Sequence, residues 1–409
     1  MTNPLVDPYL ILTKIYSDGA HLKQALAETP IEELHRSRTV KIVYGVLEKD
    51  IFLTHCIRHY APKAPKLAVR TVLKIALYMT LFMDKQRYMV TDNAVSLLKK
   101  IGKGGVGGFV NAFLRKFNID EVSMPKGDEG LSVRYSYPLF AVKLLKEQYH
   151  ARTESILSAQ SQGVTVRFEQ GAEQYLNKEH ISTPFDGVYI FKNFIRDENF
   201  FAGNYTFQSV GSIAICHGVA PCDSLLDACA APGGKSVLLA KKCKKVTAFE
   251  LHEHRKQLIE QYAERMHTAN LTAFQKDSSV YDAHYGEVFD GVLCDVPCSG
   301  MGTVSENPDI KLNKTAEDIE SLHPIQLNIL KTCAKYVKKG GALYYSTCSV
   351  FRRENDDVVG EFLQQNPEFS VEFTDNPLAH ERTKFGLQFL PDTAFGAGFY
   401  FCKLKRTES

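Results

Sequence analysis

The chain has 409 residues, 44% of them hydrophobic and 23% charged, with a net charge of +2. At about 100–200 residues per domain this length implies two or three domains, and the composition excludes a mostly disordered, collagen-like or coiled-coil protein. No run of about 18 apolar residues reads as a transmembrane helix. The opening string Met1-Thr2-Asn3-Pro4-Leu5 lacks the basic stretch and apolar run of a signal peptide. The ten cysteines include no Cys-x-x-Cys pair, which disfavours a zinc site or a redox dithiol. The expectation is a cytoplasmic protein with reduced thiols, no metal and no membrane partner.

Charge is uneven along the chain. Residues 1–125 carry 18 Lys and Arg against 11 Asp and Glu, so the remainder has a net charge of −5. A basic N-terminal third suggests contact with nucleic acid, although a solvated basic face would give the same count. Helical spacing of apolar residues at 67–78 and 108–117 predicts an all-helical bundle over residues 1–125. Residues 118–130 hold Pro125, Gly127 and Gly130 without a sustained period and read as a linker. A helix at 138–150 and a strand at Val164–Phe168 suggest a small α+β module over 126–205. The motif Gly102-Lys103-Gly104-Gly105-Val106-Gly107-Gly108 has no strand before it and reads as a loop between helices, phosphate contact by Lys103 being the minor alternative.

From residue 206 short apolar runs alternate with helical segments. Strands are predicted at 224–229, 245–250, 272–274, 289–295 and 341–347, with a late strand at 398–404. Helices are predicted at 252–267 and 322–337. This alternation implies a doubly wound α/β domain with a parallel sheet over 206–409.

The first of these strands runs into Asp227-Ala228-Cys229-Ala230-Ala231-Pro232-Gly233-Gly234-Lys235-Ser236. Small residues at a strand-to-helix turn let the backbone approach a ligand closely. The string is neither a dinucleotide fingerprint nor a P-loop, and a tight turn without a ligand is the bland alternative. Glu250 ends the second strand, where a carboxylate can accept both ribose hydroxyls. Asp277 follows the third strand and could hydrogen-bond an adenine amino group or cap a helix. The turn and Glu250 together point to a bound adenosine moiety.

The fourth strand ends in Asp295-Val296-Pro297-Cys298-Ser299-Gly300 and the fifth in Ser346-Thr347-Cys348-Ser349. Both lie at the carboxyl edge of a doubly wound sheet, so two thiols and a carboxylate converge near the cofactor. A single buried cysteine is more often a core residue. Two cysteines immediately past strand ends, beside Pro, Gly and Ser, fit that explanation poorly. An ionised thiol is a strong nucleophile. Its addition at C6 of a pyrimidine makes C5 nucleophilic toward a sulfonium methyl. A carboxyl such as Asp295 can favour the addition at N3. The C5 proton must then leave, and Cys298 is suitably placed to assist. His252-Glu253-His254 lacks the spacing of a zinc-protease string.

The strings around Cys229, Cys298 and Cys348 resemble those of the RNA cytosine-C5 methyltransferases. The resemblance implies that Cys348 is the nucleophile, that Cys298 promotes product release and that Asp295 contacts the base. It places Cys229, Ala230, Ala231, Pro232, Gly233, Gly234, Lys235, Glu250, Asp277 and Asp295 around S-adenosylmethionine. DNA enzymes use the Pro-Cys cysteine as nucleophile, so Ser346-Thr347-Cys348 points to RNA. Asn307-Pro308-Asp309-Ile310-Lys311 resembles a string of bacterial 16S ribosomal RNA enzymes of the RsmB (Sun) type, and Phe207-Gln208-Ser209-Val210-Gly211-Ser212 resembles the lead-in to their catalytic domain. Val43-Tyr44-Gly45-Val46-Leu47 and the segment 108–115 are similar to helices of the NusB-like domain that this type carries.

The resemblance implies a multidomain fold. An all-α NusB-like bundle would occupy 1–125, a small α+β module 126–205 and a Rossmann-like catalytic methyltransferase domain 206–409. It implies a monomer that methylates C5 of one cytosine in 16S ribosomal RNA, naked or in an early assembly intermediate. Three departures stand out. Val166-Arg167-Phe168-Glu169-Gln170 occupies the place of an Arg-Val-Asn string, Glu250 that of a common Asp, and Ala397-Gly398-Phe399 lacks an acid before Gly-Phe. A transfer-RNA cytosine methyltransferase is the alternative within the same chemistry, and the NusB-like region argues against it. A non-catalytic RNA-binding assembly factor is the alternative outside it, and the two intact cysteines and glycine-rich turn argue against that.

Overall fold

The computed structural model describes residues 3–408. Met1 and Thr2, the start of the opening string considered above, and Ser409 lie outside the described residues. The chain divides into two compact units. The first runs to Leu157 and also includes Asn307–Lys314; the second comprises Ser158–Glu306 and the rest of the chain from Thr315.

The first unit is helical, with helices at Val6–Asp18, Leu22–Glu28, Glu33–Glu48, Asp50–Tyr60, Leu67–Phe82, Arg87–Lys100, Gly107–Lys116, Gly127–Tyr135, Leu139–Tyr149 and Thr153–Ser158. Leu67–Phe82 is apolar nearly all round and buries Val69, Val72, Leu73, Ile75, Ala76 and Leu77, as a central helix must. Its one buried cation, Lys74, donates to Asp50 at 2.5 Å, and the Tyr16 hydroxyl donates to the same carboxylate oxygen. A buried ammonium persists only with such partners.

The expected linker at 118–130 is a bend between helices. A 3-10 turn at Ile119–Glu121 leads into Gly127–Tyr135, and Val122 is buried in the same core as the preceding helices. Loss of period there marks a change of direction rather than a break in packing. The three helices between Gly127 and Ser158 therefore group with the first unit, while the strands of the 126–205 stretch and its short helix Glu198–Phe201 fall in the second. The Pro308–Leu312 turn also belongs to the first unit. Asp309 accepts the Leu22 N–H at 3.1 Å, and Lys311 donates to the Glu48 carbonyl at 2.8 Å.

The second unit contains two sheets. Strands β1 (Val164–Phe168), β2 (His180–Ser182), β3 (Val188–Phe191) and β4 (Tyr205–Phe207) form an antiparallel sheet in the order β2-β3-β1-β4. The larger sheet holds β5 (Cys222–Asp227), β6 (Cys243–Glu250), β7 (Leu271–Gln275), β8 (Phe289–Asp295), β9 (Val337–Thr347), β10 (Phe369–Val371), β11 (Glu381–Arg382), β12 (Leu387–Phe389) and β13 (Phe399–Arg406). Its order is β11-β12-β13-β9-β8-β5-β6-β7, with β10 on β13. Strands β5 to β9 are mutually parallel and β13 runs antiparallel to β9. Leu225 and Leu226 of β5, and Val292, Leu293 and Cys294 of β8, are all buried. Such continuous burial is expected where helices cover both faces of a parallel sheet.

Strand order reverses between β5 and β8, because the chain winds outward through β6 and β7 before returning through β8 and β9. The crevice at the carboxyl ends of β5 and β8 is the place where such sheets bind ligands. Among the described residues no helix is long and apolar enough to cross a membrane.

Candidate active site

Asp227 ends β5 and opens the turn. The Ala228 N–H donates to the Leu293 carbonyl at 2.8 Å and the Ala230 N–H to the Phe249 carbonyl at 3.0 Å, so the turn is held to β8 and β6. Gly233 has φ +104°, and a Cβ there would meet the Ile259 backbone at 3.2 Å. Only glycine takes that conformation without strain. Gln208 donates to the Gly234 carbonyl at 3.1 Å and accepts from the Arg167 guanidinium at 2.8 Å. The turn is thus braced from outside the large sheet.

Asp227 is fully buried. One oxygen accepts the Ser236 hydroxyl at 2.6 Å; the other has no partner among the described residues. Burial pushes this carboxyl up to about 6. At the end of β6, Glu250 accepts the His252 N–H at 3.1 Å and lies 3.4 Å from Arg255, both through Oε1. Asp277 lies exposed beyond β7, where it accepts the backbone N–H and hydroxyl of Ser279 at 2.8 and 2.6 Å. No helix follows it, so it shapes its own turn rather than capping one. Burial raises the Cys229 thiol well above its ordinary value, so Cys229 contributes a small neutral side chain to the turn.

Asp295, at the end of β8, accepts from Lys235 of the turn at 2.7 Å and from the Ser346 hydroxyl of β9 at 2.7 Å. Burial draws the Lys235 ammonium down, but the Asp295 carboxylate outweighs it and the net shift is upward. Lys235 therefore stays charged. Three residues further on, the Sγ of Cys298 lies 3.0 Å from the Sγ of Cys348. The Cys348 N–H also points at the Cys298 sulfur, at 3.3 Å. Cys298 is pushed well above the ordinary thiol range, first by its hydrogen bond to Cys348 and then by burial. Cys298 therefore stays protonated. The Gly302 N–H donates to the Cys348 carbonyl at 2.9 Å, and a Cβ on Gly302 would sit 2.0 Å from the Gly398 carbonyl oxygen. Glycine is required for the three segments to meet.

The structure brings Cys348, Cys298, Asp295 and Lys235 together at the ends of three strands. Glu250 lies farther along the same edge, and Asp277 is turned toward its own loop. Sequence reasoning missed Ser346 and the bracing role of Gln208, and it missed Glu354 altogether. Nothing in Arg353-Glu354-Asn355 signals that its glutamate is the fully buried one.

The NusB family model matches residues 11–118, and the model described as 16S rRNA methyltransferase RsmB/F matches residues 218–405. The probable ribosomal RNA small subunit methyltransferase B of Bacillus subtilis (strain 168) is 30% identical over 421 residues, covering 94% of each chain. This chain belongs to the RsmB family of ribosomal RNA methyltransferases. A second RsmB relative, the ribosomal RNA small subunit methyltransferase B of Erwinia tasmaniensis, is 26% identical and covers 99% of each chain. The crystal structure of PH0851 superposes with a TM-score of 0.85 at 21% identity, covering 99% of each chain, and shows the same fold.

RsmB-type enzymes are S-adenosylmethionine-dependent, and the residues present fit that cofactor. The unpartnered Asp227 oxygen suits the methionyl ammonium, and Oε2 of Glu250 has no partner among the described residues and suits a ribose hydroxyl. An ammonium at Asp227 requires the ionised carboxylate, which forms as pH rises through about 6. Cofactor affinity measured by calorimetry should therefore tighten about tenfold from pH 5 to pH 7. The dependence should vanish in Asp227→Asn; an unchanged slope in that variant would contradict this placement.

Proposed function

We propose that the protein methylates C5 of one cytosine in 16S ribosomal RNA through a covalent bond between Cys348 and C6. The observation that carries this reading is the pair of thiols 3.0 Å apart beside the Lys235–Asp295 ion pair at the carboxyl ends of β8 and β9. The target base must leave its stack to expose C5 and C6, so it is flipped or unpaired.

The Cys348 thiolate adds to C6 as N3 takes up a proton from water, and Asp295 accepts from the N3–H so formed. Each Asp295 oxygen already accepts one hydrogen bond, which leaves lone pairs for the base. Addition moves electron density to C5. S-adenosylmethionine, when bound at the turn, supplies the methyl that C5 takes up. Cys348 is by then a thioether, so the partner that held the Cys298 proton most strongly is gone. Cys298 then passes its proton to water and, as the thiolate, takes the C5 proton; the electron pair left behind expels Cys348 as N3 gives up its proton.

The basic helical region at 1–125 holds RNA phosphates with a salt-dependent affinity. The protein works in the cytoplasm as a monomer, on naked RNA or an early assembly intermediate. The test is transfer of labelled methyl to unmodified small-subunit RNA and to transfer RNA in parallel. Label on small-subunit cytosine is the expected result; label confined to transfer RNA would overturn the substrate.

A further inference from the structure

Glu354 lies in a 3-10 turn, Arg352–Glu354, after β9, and is fully buried. No cation pairs with it among the described residues; its carboxylate is met by hydrogen-bond donors instead. Oε1 accepts the Ser299 N–H at 2.7 Å and the Gln326 amide at 3.2 Å. Oε2 accepts the Ser299 hydroxyl at 2.6 Å and the Ser349 hydroxyl. Ser299 follows Cys298 and Ser349 follows Cys348, so one carboxylate grips the residue after each thiol. Gln326 also donates to the Pro297 carbonyl at 3.0 Å, on the other side of Cys298. The Tyr345 hydroxyl fixes the Glu354 backbone through its carbonyl at 2.5 Å.

A carboxylate buried without a cation is costly unless donors converge on it. Here the donors are the two cysteine loops themselves. The Cys348 loop has other restraints: Thr347 donates to Asn355 at 2.6 Å, Asn355 donates to the Ser349 carbonyl at 3.1 Å, and Gly302 donates to the Cys348 carbonyl. The Cys298 loop is tied by Val296 to the Ser346 carbonyl at 3.1 Å and by Gly302 to Cys348, but the two residues flanking Cys298, Pro297 and Ser299, are held by Glu354 directly and through Gln326.

We propose that Glu354 is a positioning residue that clamps the Cys298 loop against Cys348 and so sets the rate at which the methylated RNA is released. The inference rests on the function proposed above. Without the clamp, Cys348 still attacks and methyl is still transferred, but Cys298 is no longer held where it can take the C5 proton. A misplacement of about 1 Å in a reacting group costs about a hundredfold in rate.

The experiment compares wild type, Cys298→Ala, Glu354→Ala and Glu354→Gln with labelled S-adenosylmethionine and small-subunit RNA. Turnover and protein–RNA adduct surviving denaturation are the readouts, with cofactor affinity as the measure of folding. Glu354→Ala should turn over about a hundredfold more slowly, accumulate methylated adduct as Cys298→Ala does, and bind cofactor like wild type. Glu354→Gln keeps its hydrogen bonds, because the serine hydroxyls can turn and accept from its amide, and should partition close to wild type. A merely structural glutamate would lower stability and leave the adduct fraction unchanged.

If Cys298→Ala traps adduct while Glu354→Ala does not, the clamp is overturned and the methyltransferase reading stands. The clamp is equally overturned if Glu354→Gln traps as much as the alanine variant. If Cys298→Ala yields neither adduct nor label, the proposed function itself falls. Should Glu354→Ala fail to bind cofactor, Ser299→Ala decides: it removes one of the clamp's bonds and keeps the carboxylate. Adduct above the wild-type fraction supports the clamp and a wild-type fraction overturns it.

Discussion

Cys348→Ala is expected to lower methyl transfer by at least about 10⁴-fold, because C5 of cytosine is not nucleophilic until a thiolate has added at C6. The loss should fall on chemistry alone. Cys348 sits past the end of β9, off the turn that runs from Asp227 to Lys235, so S-adenosylmethionine affinity should stay within about twofold. Removing one sulfur from a half-buried loop position leaves the core intact. RNA affinity in the absence of cofactor should also be retained. Single-turnover assays with labelled methyl provide the check. Transfer at a near-normal rate in this variant would move the nucleophile to Cys298, which lies only 3.0 Å away.

Cys298→Ala is expected to produce the opposite phenotype: one methyl transferred per enzyme and the RNA then retained. The variant keeps the nucleophile, the Asp295–Lys235 pair and the cofactor turn. In the proposed mechanism it loses the group that removes the C5 proton, and without that step the Cys348–C6 bond would not break. Multiple turnover should fall at least about a hundredfold while the first turnover survives. Denaturing electrophoresis should show a protein–RNA species carrying the labelled methyl group. The Cys348 N–H also loses the sulfur it points at, so the first turnover should be somewhat slower than in wild type. Normal release in this variant would remove Cys298 from the mechanism and leave the proton to another base.

Much of this site was legible because it sits at strand ends. Apolar runs located β5, β8 and β9, and parallel winding puts the residues after each at one edge. Asp227 to Ser236, Asp295 to Gly300 and Ser346 to Ser349 therefore had to converge once the alternation was recognised. Glu354 and Gln326 were not legible for a physical reason. A glutamate among arginines and an asparagine reads as a solvated turn, and a glutamine on a nineteen-residue helix reads as a surface residue. Only tertiary packing makes them buried, and their partners are each other, a backbone N–H, a backbone carbonyl and two hydroxyls, none of which carries a pattern of its own.

The division into compact units at Leu157 has no mark in the sequence for a similar reason. Prolines and glycines at 118–130 mark a bend, but Val122 and the helices up to Ser158 continue the packing of the first unit. Composition registers the turn and not the contacts across it. The stretch 307–314 illustrates the converse. It reads as a loop of the catalytic region, yet Asp309 and Lys311 find their partners at Leu22 and Glu48.

The most direct test of the account is tritium release from small-subunit RNA made with cytosine tritiated at C5, measured alongside transfer of labelled methyl. Wild type should lose one tritium to water per methyl gained, and neither event should occur with Cys348→Ala. Cys298→Ala should transfer methyl with tritium retained on the RNA. Methyl transfer by wild type without tritium release would place the methyl on another atom and contradict the account.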